Sequence, residues 1–443
     1  MAVSDSLAIN GGPMAVEQER HRQWPEVLAE DREAVNRVLD RGLFSGANAP
    51  EITALQQEYA NYLGVRYCLA LNSGTAALHC CAAAVGLMPG DEVIVPAYTF
   101  VASAMAVLHQ GAVPLFCDID PRTYNLDPKR VDERIGERTR AILAVHIHGA
   151  PADMDELSEI AQRHGLAVIE DMAQSHGIRY RGQMTGTIGT CAGTSLNQSK
   201  NLSAGEGGLF VTDDEQAYLT ARRLSVFGED LVPLEQRDFW SHGVGWNYRN
   251  QELSSAFARA QLSRVDRYNE TAELNASILS EGLAEVRGLT PPHVPEDRGC
   301  SYWKYMVQVE PEELGFSGDV RELRDRILHA LRAEGAEAMV WQPQPLPAQP
   351  AFRRKLRPWH PADADEPLRP WDPQEYSVAS DLCDRSLALG TEARPLYLQD
   401  RDLMLRYLEA AQKVVDNIDE VLVADYPRRR YMVDEPVGAR GSA

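Results

Sequence analysis

Hydrophobic and polar positions along this chain follow one rhythm in its first half and another in its second. From residue 65 onward, short apolar runs that end in turn residues alternate with longer segments of helical period. VRYCLALNSG is followed by GTAALHCCAAAVGL, DEVIVPAYTF by VASAMAVLHQGA, and VPLFCDID, AILAVHIHG, LAVIEDMAQ and GGLFVTDD read as further strands. PADMDELSEIAQRHG is a well-marked helix, with Asp153 as candidate N-cap and Gly165 as the residue that stops it. Ahead of these, a polar amphipathic segment spans about Trp24 to Leu39, ending near Gly42, and EITALQQEYANYLG predicts a helix ending at Gly64. Strands alternating with helices of this length imply an α/β fold with a mostly parallel central sheet flanked by helices.

After about Gln261 the pattern changes. LSRVDRYNETAELNASILSEGL predicts one long amphipathic helix, CSYWKYMVQV a strand, DVRELRDRILHALRAEG a helix, and Asp402 to Ile418 a closing helix. Pro343 to Pro373 is rich in proline and tryptophan, has no period, and is too long for an ordinary connector. The expected organisation is an N-terminal extension at 1–23, frayed over its first thirteen residues, and a large α/β domain at 24–262. A smaller C-terminal α+β domain at 263–430 and a tail at 431–443 follow.

Bulk properties narrow the function. A chain of 443 residues with 25% charged positions is an ordinary globular composition and long enough for two domains. The formal net charge of −21 argues against nucleic acid as partner. The run Arg428, Arg429, Arg430 reads as part of a solvated tail. Seven cysteines without a CxxC pair or zinc-ligand spacing suggest buried thiols in a reducing compartment, and no metal site. The N-terminus lacks a secretory pattern, and no apolar run approaches the ~18 residues needed to span a bilayer. A cytoplasmic protein without membrane contact is the expectation.

Candidate chemistry lies where strands end, because open α/β sheets bind ligands at their carboxyl edge. Asn72-Ser73-Gly74-Thr75 opens a helix and offers an anion its first N–H groups, although such a cap is also common without a ligand. Neither GxxxxGK[ST] nor GxGxxG occurs. Pro96 to Phe100 brings aromatic residues that could stack on a flat ring or pack in the core. His146 and His148 lack a third ligand at metal spacing and read as structural. Asp171 closes the apolar run LAVIED and needs a charged partner, which a protonated heteroaromatic nitrogen would supply. Lys200 stands in SLNQSKNLSAGEGG between apolar runs, following Asp171 after a glycine-rich, hairpin-like segment. A lysine in such a place is either neutralised or used as an amine. An anion cradle, a flat stacker, a carboxylate and a lone lysine are the parts that pyridoxal phosphate requires.

In order along the chain, NSGTAAL, DEVIVPAYTFVAS, VHIHGAPADMDEL, IEDMAQSHG, SLNQSKNLSAGEGG and GWNYRNQELSSAFARAQL resemble the motifs of the DegT/DnrJ/EryC1/StrS aminotransferases. These are the sugar and cyclitol branch of fold-type I pyridoxal-phosphate enzymes. The resemblance spans about Gly42 to Leu262 and continues more loosely to the end. It implies that Lys200 carries the cofactor as a Schiff base, that Asp171 pairs with the ring nitrogen and that Gln174 binds the ring 3-oxygen. It likewise gives Phe100 as the ring stacker and Gly74, Thr75 and Ser195 as the phosphate ligands. Asn247 of GWNYRN would reach the phosphate site of a neighbouring subunit, which implies a homodimer with shared sites. The glutamate of GEGG reads as structural.

The implied reaction is transamination, with glutamate or glutamine as amino donor and a keto sugar, cyclitol or related polyhydroxylated acceptor in secondary-metabolite biosynthesis. Three positions depart from the sugar members: Asn197 replaces a histidine three residues before the lysine, PQPLPAQPAF has no histidine, and SYWKYMV does not begin with one. LNQSK is closer to the inosose aminotransferases and aminohydroxybenzoate synthases. An aminohydroxybenzoate-synthase-like enzyme, a dehydratase of the same fold, and a non-catalytic regulatory homologue remain alternatives. The dehydratases lack the lysine.

Overall fold

The computed structural model describes residues 6–46, 48–230, 232, 236–354 and 370–427. The chain separates into two compact units, one of residues 24–270 and 294–303, the other drawn from 1–23, 271–293 and 304–443.

The larger unit is built on strands β1 (Tyr67–Leu71), β2 (Glu92–Pro96), β3 (Val113–Cys117), β4 (Thr139–Val145) and β5 (Ala167–Asp171). A small hairpin of β6 (Arg179–Tyr180) and β7 (Gln183–Met184) follows, then β8 (Cys191–Ser195) and β9 (Gly208–Thr212). Seven of these form one sheet in the order β1-β9-β8-β5-β4-β2-β3. Every pairing in it is parallel except those of β9, which runs against both neighbours. The carboxyl ends of β1, β2, β4, β5 and β8 therefore share one edge, and β9 starts there. The hairpin turns at Arg181 and Gly182, both at positive φ (46° and 86°), the backbone a tight two-residue turn needs.

Helices cover both faces of this sheet. They are α1 (Ala29–Arg41), α2 (Pro50–Leu63), α3 (Gly74–Ala84), α4 (Ala102–His109), α5 (Pro128–Arg134), α6 (Met154–His164), α7 (Glu215–Ser225) and α8 (Glu252–Leu262). Ala192 of β8 joins the cluster made by Ile52, Leu55 and Tyr59 of α2. Its neighbour Gly193 faces the other way, where an added Cβ would lie 2.9 Å from the Leu78 side chain of α3. Successive residues of a strand point to opposite faces, so β8 is sandwiched between two helices. β8 is absent from the sequence-based expectation. Its residues, CAGTS, are small because α3 packs directly onto them, and small residues carry no strand signature.

Three further expectations change. The amphipathic segment expected from Trp24 becomes helical only at Ala29, and it ends at Gly42 as expected. Asp153 stands at the N-cap of α6 but makes no side-chain cap bond; it pairs with Arg298 at 2.8 Å instead. The strand expected over CSYWKYMVQV begins only at Tyr305, because Tyr302 adopts a positive φ of 44° and breaks the extended run.

The smaller unit holds a four-stranded antiparallel sheet, ordered Leu289–Thr290, Tyr305–Val309, Ser386–Leu389, Ala338–Met339. Helices Val320–Ala333, Ser377–Arg385 and Arg401–Asp416 accompany it. Residues 6–13 are not frayed. Leu7 is buried, and the carboxylate of Glu334 accepts from the N–H groups of Ala8 at 2.7 Å and Ala15 at 3.1 Å. The same carboxylate pairs with buried Lys413 at 2.8 Å, so the charge taken out of water is matched. Within Pro343 to Pro373, Leu346–Ala348 and Pro350–Arg353 form short helical turns. Positions 355–369, Arg428 to Arg430 and the tail at 431–443 lie outside the described residues.

Candidate active site

Three backbone segments converge at the ends of β1, β8 and β9. Ser73 caps α3, its Oγ accepting from the Ala76 N–H at 3.1 Å. The N–H groups of Gly74 and Thr75 precede the hydrogen-bond ladder of the helix and are available to an anion. A Cβ on Gly74 would sit 2.8 Å from the Ser195 Cβ, so glycine is what lets the helix start approach the end of β8. Gly208 makes the same allowance on the other side, where a Cβ would come 2.7 Å from the Gly74 nitrogen. The structure thus brings Gly74, Thr75 and Ser195 together, half-buried, as a cradle open at a helix N-terminus.

Asp171 ends β5 and is buried. Its Oδ2 accepts from the Ser103 hydroxyl at 2.7 Å and its Oδ1 from the Ala173 N–H at 3.1 Å. Burial pushes its carboxyl above the usual carboxylate range, opposed by those two hydrogen bonds and by the charge of Lys200. Two residues of loop further on, buried Gln174 accepts from the His148 N–H at 2.6 Å through its Oε1. That bond fixes the amide, because an oxygen held by an N–H cannot exchange places with the NH2. The NH2 has no partner among the described residues and remains a donor.

Lys200 sits in the loop between β8 and β9, about as buried as the core at 8% exposure. The loop is closed on itself by Leu196 N–H to Gly207 O, Gln198 N–H to Gly205 O and Ala204 N–H to Leu196 O, at 2.8 to 2.9 Å. Glu206 of the GEGG turn accepts from Asn197 Nδ2 at 2.8 Å, so it ties the loop together. Asn197 itself accepts from Ser199 through Oδ1. Two tryptophans then fix the carbonyls just before the lysine. Trp24 Nε1 donates to Gln198 O and Trp303 Nε1 to Ser199 O, each at 2.6 Å. The Lys200 Nζ lies 3.8 Å from the centroid of the Trp303 ring.

Trp24, Ser103, His148 and Trp303 were not anticipated in these roles. The Nε2 of His148 is 2.9 Å from the Tyr98 hydroxyl, and its carbonyl accepts from the Trp303 N–H at 2.9 Å. Its φ of +55°, followed by Gly149 at +94°, makes the sharp turn by which one residue joins Gln174 to Trp303. A Cβ on Gly149 would collide with the Ser301 hydroxyl. Residues at this turn carry no local mark of such a role, because their partners are distant in sequence.

Phe100, four residues past the end of β2, is 54% exposed. Asn247 is exposed; its Oδ1 accepts from Arg249 Nε at 3.0 Å and its carbonyl from Asn72 Nδ2 at 3.2 Å. Its segment therefore runs beside the end of β1 in its own chain. His146 is structural. Its Nδ1 accepts from the Ala152 N–H, so the proton is on Nε2, which donates to buried Glu170 at 3.0 Å. Among the described residues no group of three or more His, Cys, Asp or Glu is placed to hold a metal ion, and no helix is long and apolar enough to cross a membrane. All seven cysteines are buried and unbridged.

GDP-perosamine synthase of Caulobacter vibrioides is 36% identical over 71% of this chain and 82% of its own length. L-glutamine:scyllo-inosose aminotransferase of Streptomyces griseus is 34% identical over 95% of this chain and its full length. The crystal structure of DesV from S. venezuelae, in complex with a ketimine intermediate, superimposes with a TM-score of 0.75 at 31% identity, covering 88% of this chain and 95% of that one. The profile of the DegT/DnrJ/EryC1/StrS aminotransferase family matches residues 25–363. The chain has the fold-type I architecture and belongs to the DegT/DnrJ/EryC1/StrS aminotransferase family.

Proposed function

We propose that this chain is a pyridoxal-phosphate-dependent aminotransferase that moves an amino group from glutamate or glutamine to the keto group of a cyclitol or sugar. The observation that carries the reading is the buried Lys200 amine at the carboxyl edge of the sheet, on the same edge as the Gly74–Ser195 cradle and the Asp171 carboxylate. The residues present fit the cofactor. The cradle is filled by no side chain because Gly74 has none, Gln174 presents an uncommitted NH2, and Asp171 is a buried acceptor whose own environment favours a cationic partner. When bound, pyridoxal phosphate supplies an electron sink for the pair released as a Cα–H bond breaks.

The residues divide the work. Gly74, Thr75 and Ser195 hold a phosphate dianion at the α3 N-terminus, where the helix dipole favours negative charge. Asp171 keeps the ring nitrogen protonated and Gln174 donates to the ring 3-oxygen. Phe100, exposed in the loop after β2, would offer a face for the ring. Lys200 is the amine that carries the cofactor covalently; once released, it takes the proton from the donor carbon and returns it to the accepting one. Asn247 would complete the phosphate site of a second copy of the chain, which makes the working unit a homodimer. The absence of histidine at Asn197, together with the Streptomyces griseus relative, favours a cyclitol ketone over a nucleotide sugar.

The test combines spectroscopy with a substrate screen. The purified protein should absorb in the visible, and borohydride should fix the cofactor on Lys200; a label on another lysine refutes the site. Cyclitol and sugar-nucleotide ketones, each offered with glutamine and with glutamate, then decide the acceptor.

A further inference from the structure

We propose that the indole of Trp303 is the seat of the Lys200 amino group whenever that amine is not bonded to the cofactor, and that it holds the group as an ammonium. The proposal rests on the reading of Lys200 as the cofactor-carrying amine. Its Nζ lies 3.8 Å from the Trp303 ring centroid, within the range in which the negative face of an aromatic ring attracts a cation. Trp303 is 5% exposed and fixed at two points, by Nε1–H to Ser199 O at 2.6 Å and by its backbone N–H to His148 O at 2.9 Å. The first of these bonds ends on the residue next to Lys200 in the chain. Ring and amine are therefore registered to each other by one residue, and the face cannot turn away while the loop keeps its shape.

Such a face has a use in transamination. When Lys200 takes a proton from a substrate carbon, its lone pair becomes the new N–H bond and the C–H electrons stay with the carbon. The product on the lysine is an ammonium in a buried place, where an uncompensated charge is costly. The Trp303 face stabilises that ammonium without forming a hydrogen bond that would retain the proton, so the proton can still be delivered to the accepting carbon. Among the described residues, Asp171 and His176 also act electrostatically on Lys200. Asp171 favours the ammonium, and His176, lowered to about 4 chiefly by burial, is neutral at working pH. Trp303 is thus a positioning residue that adjusts the proton affinity of the lysine, rather than a filler of space.

The experiment compares wild type, Trp303→Phe and Trp303→Leu in the full chain freed of cofactor. Lys200 is labelled with acetic anhydride across a pH series and the extent is read on the Lys200 peptide. Removing a cation-stabilising face makes the neutral amine available at lower pH. The labelling midpoint should fall by about half a unit to one unit in Trp303→Leu and by less in Trp303→Phe, which keeps a weaker ring face. In the cofactor-loaded enzymes, kcat should fall in the same order while KM for the amino donor stays near wild type. A midpoint in Trp303→Leu that equals or exceeds that of wild type overturns the proposal. If that variant does not fold, equal midpoints for wild type and Trp303→Phe overturn it. The labelling needs no cofactor, so its outcome is separate from borohydride trapping, whose failure in wild type would refute the functional reading instead.

Discussion

Ser103 Oγ donates to Asp171 Oδ2 at 2.7 Å, joining the start of α4 to the end of β5 beneath the site. The Ser103 proton is committed to the carboxylate, so the Thr99 hydroxyl, 3.1 Å away, must donate to the Ser103 oxygen. This short chain of hydroxyls sustains a carboxylate that burial would otherwise press toward its neutral form.

Ser103→Ala should raise the Asp171 carboxyl further and weaken its hold on a protonated ring nitrogen. Loss of one hydrogen bond to a buried charged acceptor costs about 1–3 kcal/mol. A pyridoxal-phosphate titration followed by visible absorbance should show at least a several-fold weaker affinity. Unchanged affinity would show that the hydroxyl is dispensable.

Gly74→Ala should fold but lose the phosphate cradle. A methyl 2.8 Å from the Ser195 Cβ and 3.2 Å from its Oγ must push that hydroxyl aside. Overpacking of this kind costs about 1–3 kcal/mol. Cofactor affinity should fall by an order of magnitude or more while circular dichroism stays native. Gly193→Ala, where the Cβ would meet Leu78 instead of Ser195, should lower the melting temperature; its effect on affinity should be smaller.

Stability should fall on the acid side between about pH 6.5 and 4. His176 is buried among Tyr59, Thr194 and the Ser195 carbonyl. Burial lowers it to about 4. The unfolded chain therefore takes up a proton below its ordinary value of about 6.5 while the folded chain does not until near 4, a loss on the order of 3 kcal/mol over that window. His79, also lowered to about 4 by burial, adds to the effect. Urea denaturation at a series of pH values measures it. A His176→Gln chain should be less stable at pH 8 yet lose less on acidification; a slope equal to wild type would remove His176 from the account.

Mixing Lys200→Ala chains with Asn247→Ala chains tests the shared site. If Asn247 serves the partner, subunit exchange gives heterodimers with one doubly lesioned site and one intact site. Activity should rise well above either parent. If Asn247 serves its own chain, each site keeps one lesion and the mixture gives only the average of the parents.

Much of this enzyme was legible along the chain. The alternation of apolar runs with helical segments sets a parallel sheet, because strands buried on both faces must be apolar throughout. Asp171, closing an apolar strand, and Lys200, standing between apolar runs, interrupt that pattern visibly, since polar groups beside a core persist only for a reason. What local pattern could not reveal is what approaches from elsewhere. β8 is made of small residues because α3 and α2 press on its two faces, so its sequence carries no strand signature. Trp24 and Trp303 hold successive carbonyls before Lys200 from 174 and 104 residues away. Residues 6–13 looked frayed because the glutamate that fixes them, Glu334, is more than 300 residues distant. The sequence by itself determined the alternation of strands and helices and the candidate groups Asp171 and Lys200, which depend on near neighbours and residue type. The orientation of the Gln174 amide, the depth of Asp171 and the ring beneath Lys200 are contacts between segments far apart in the chain, and only the tertiary fold decides those.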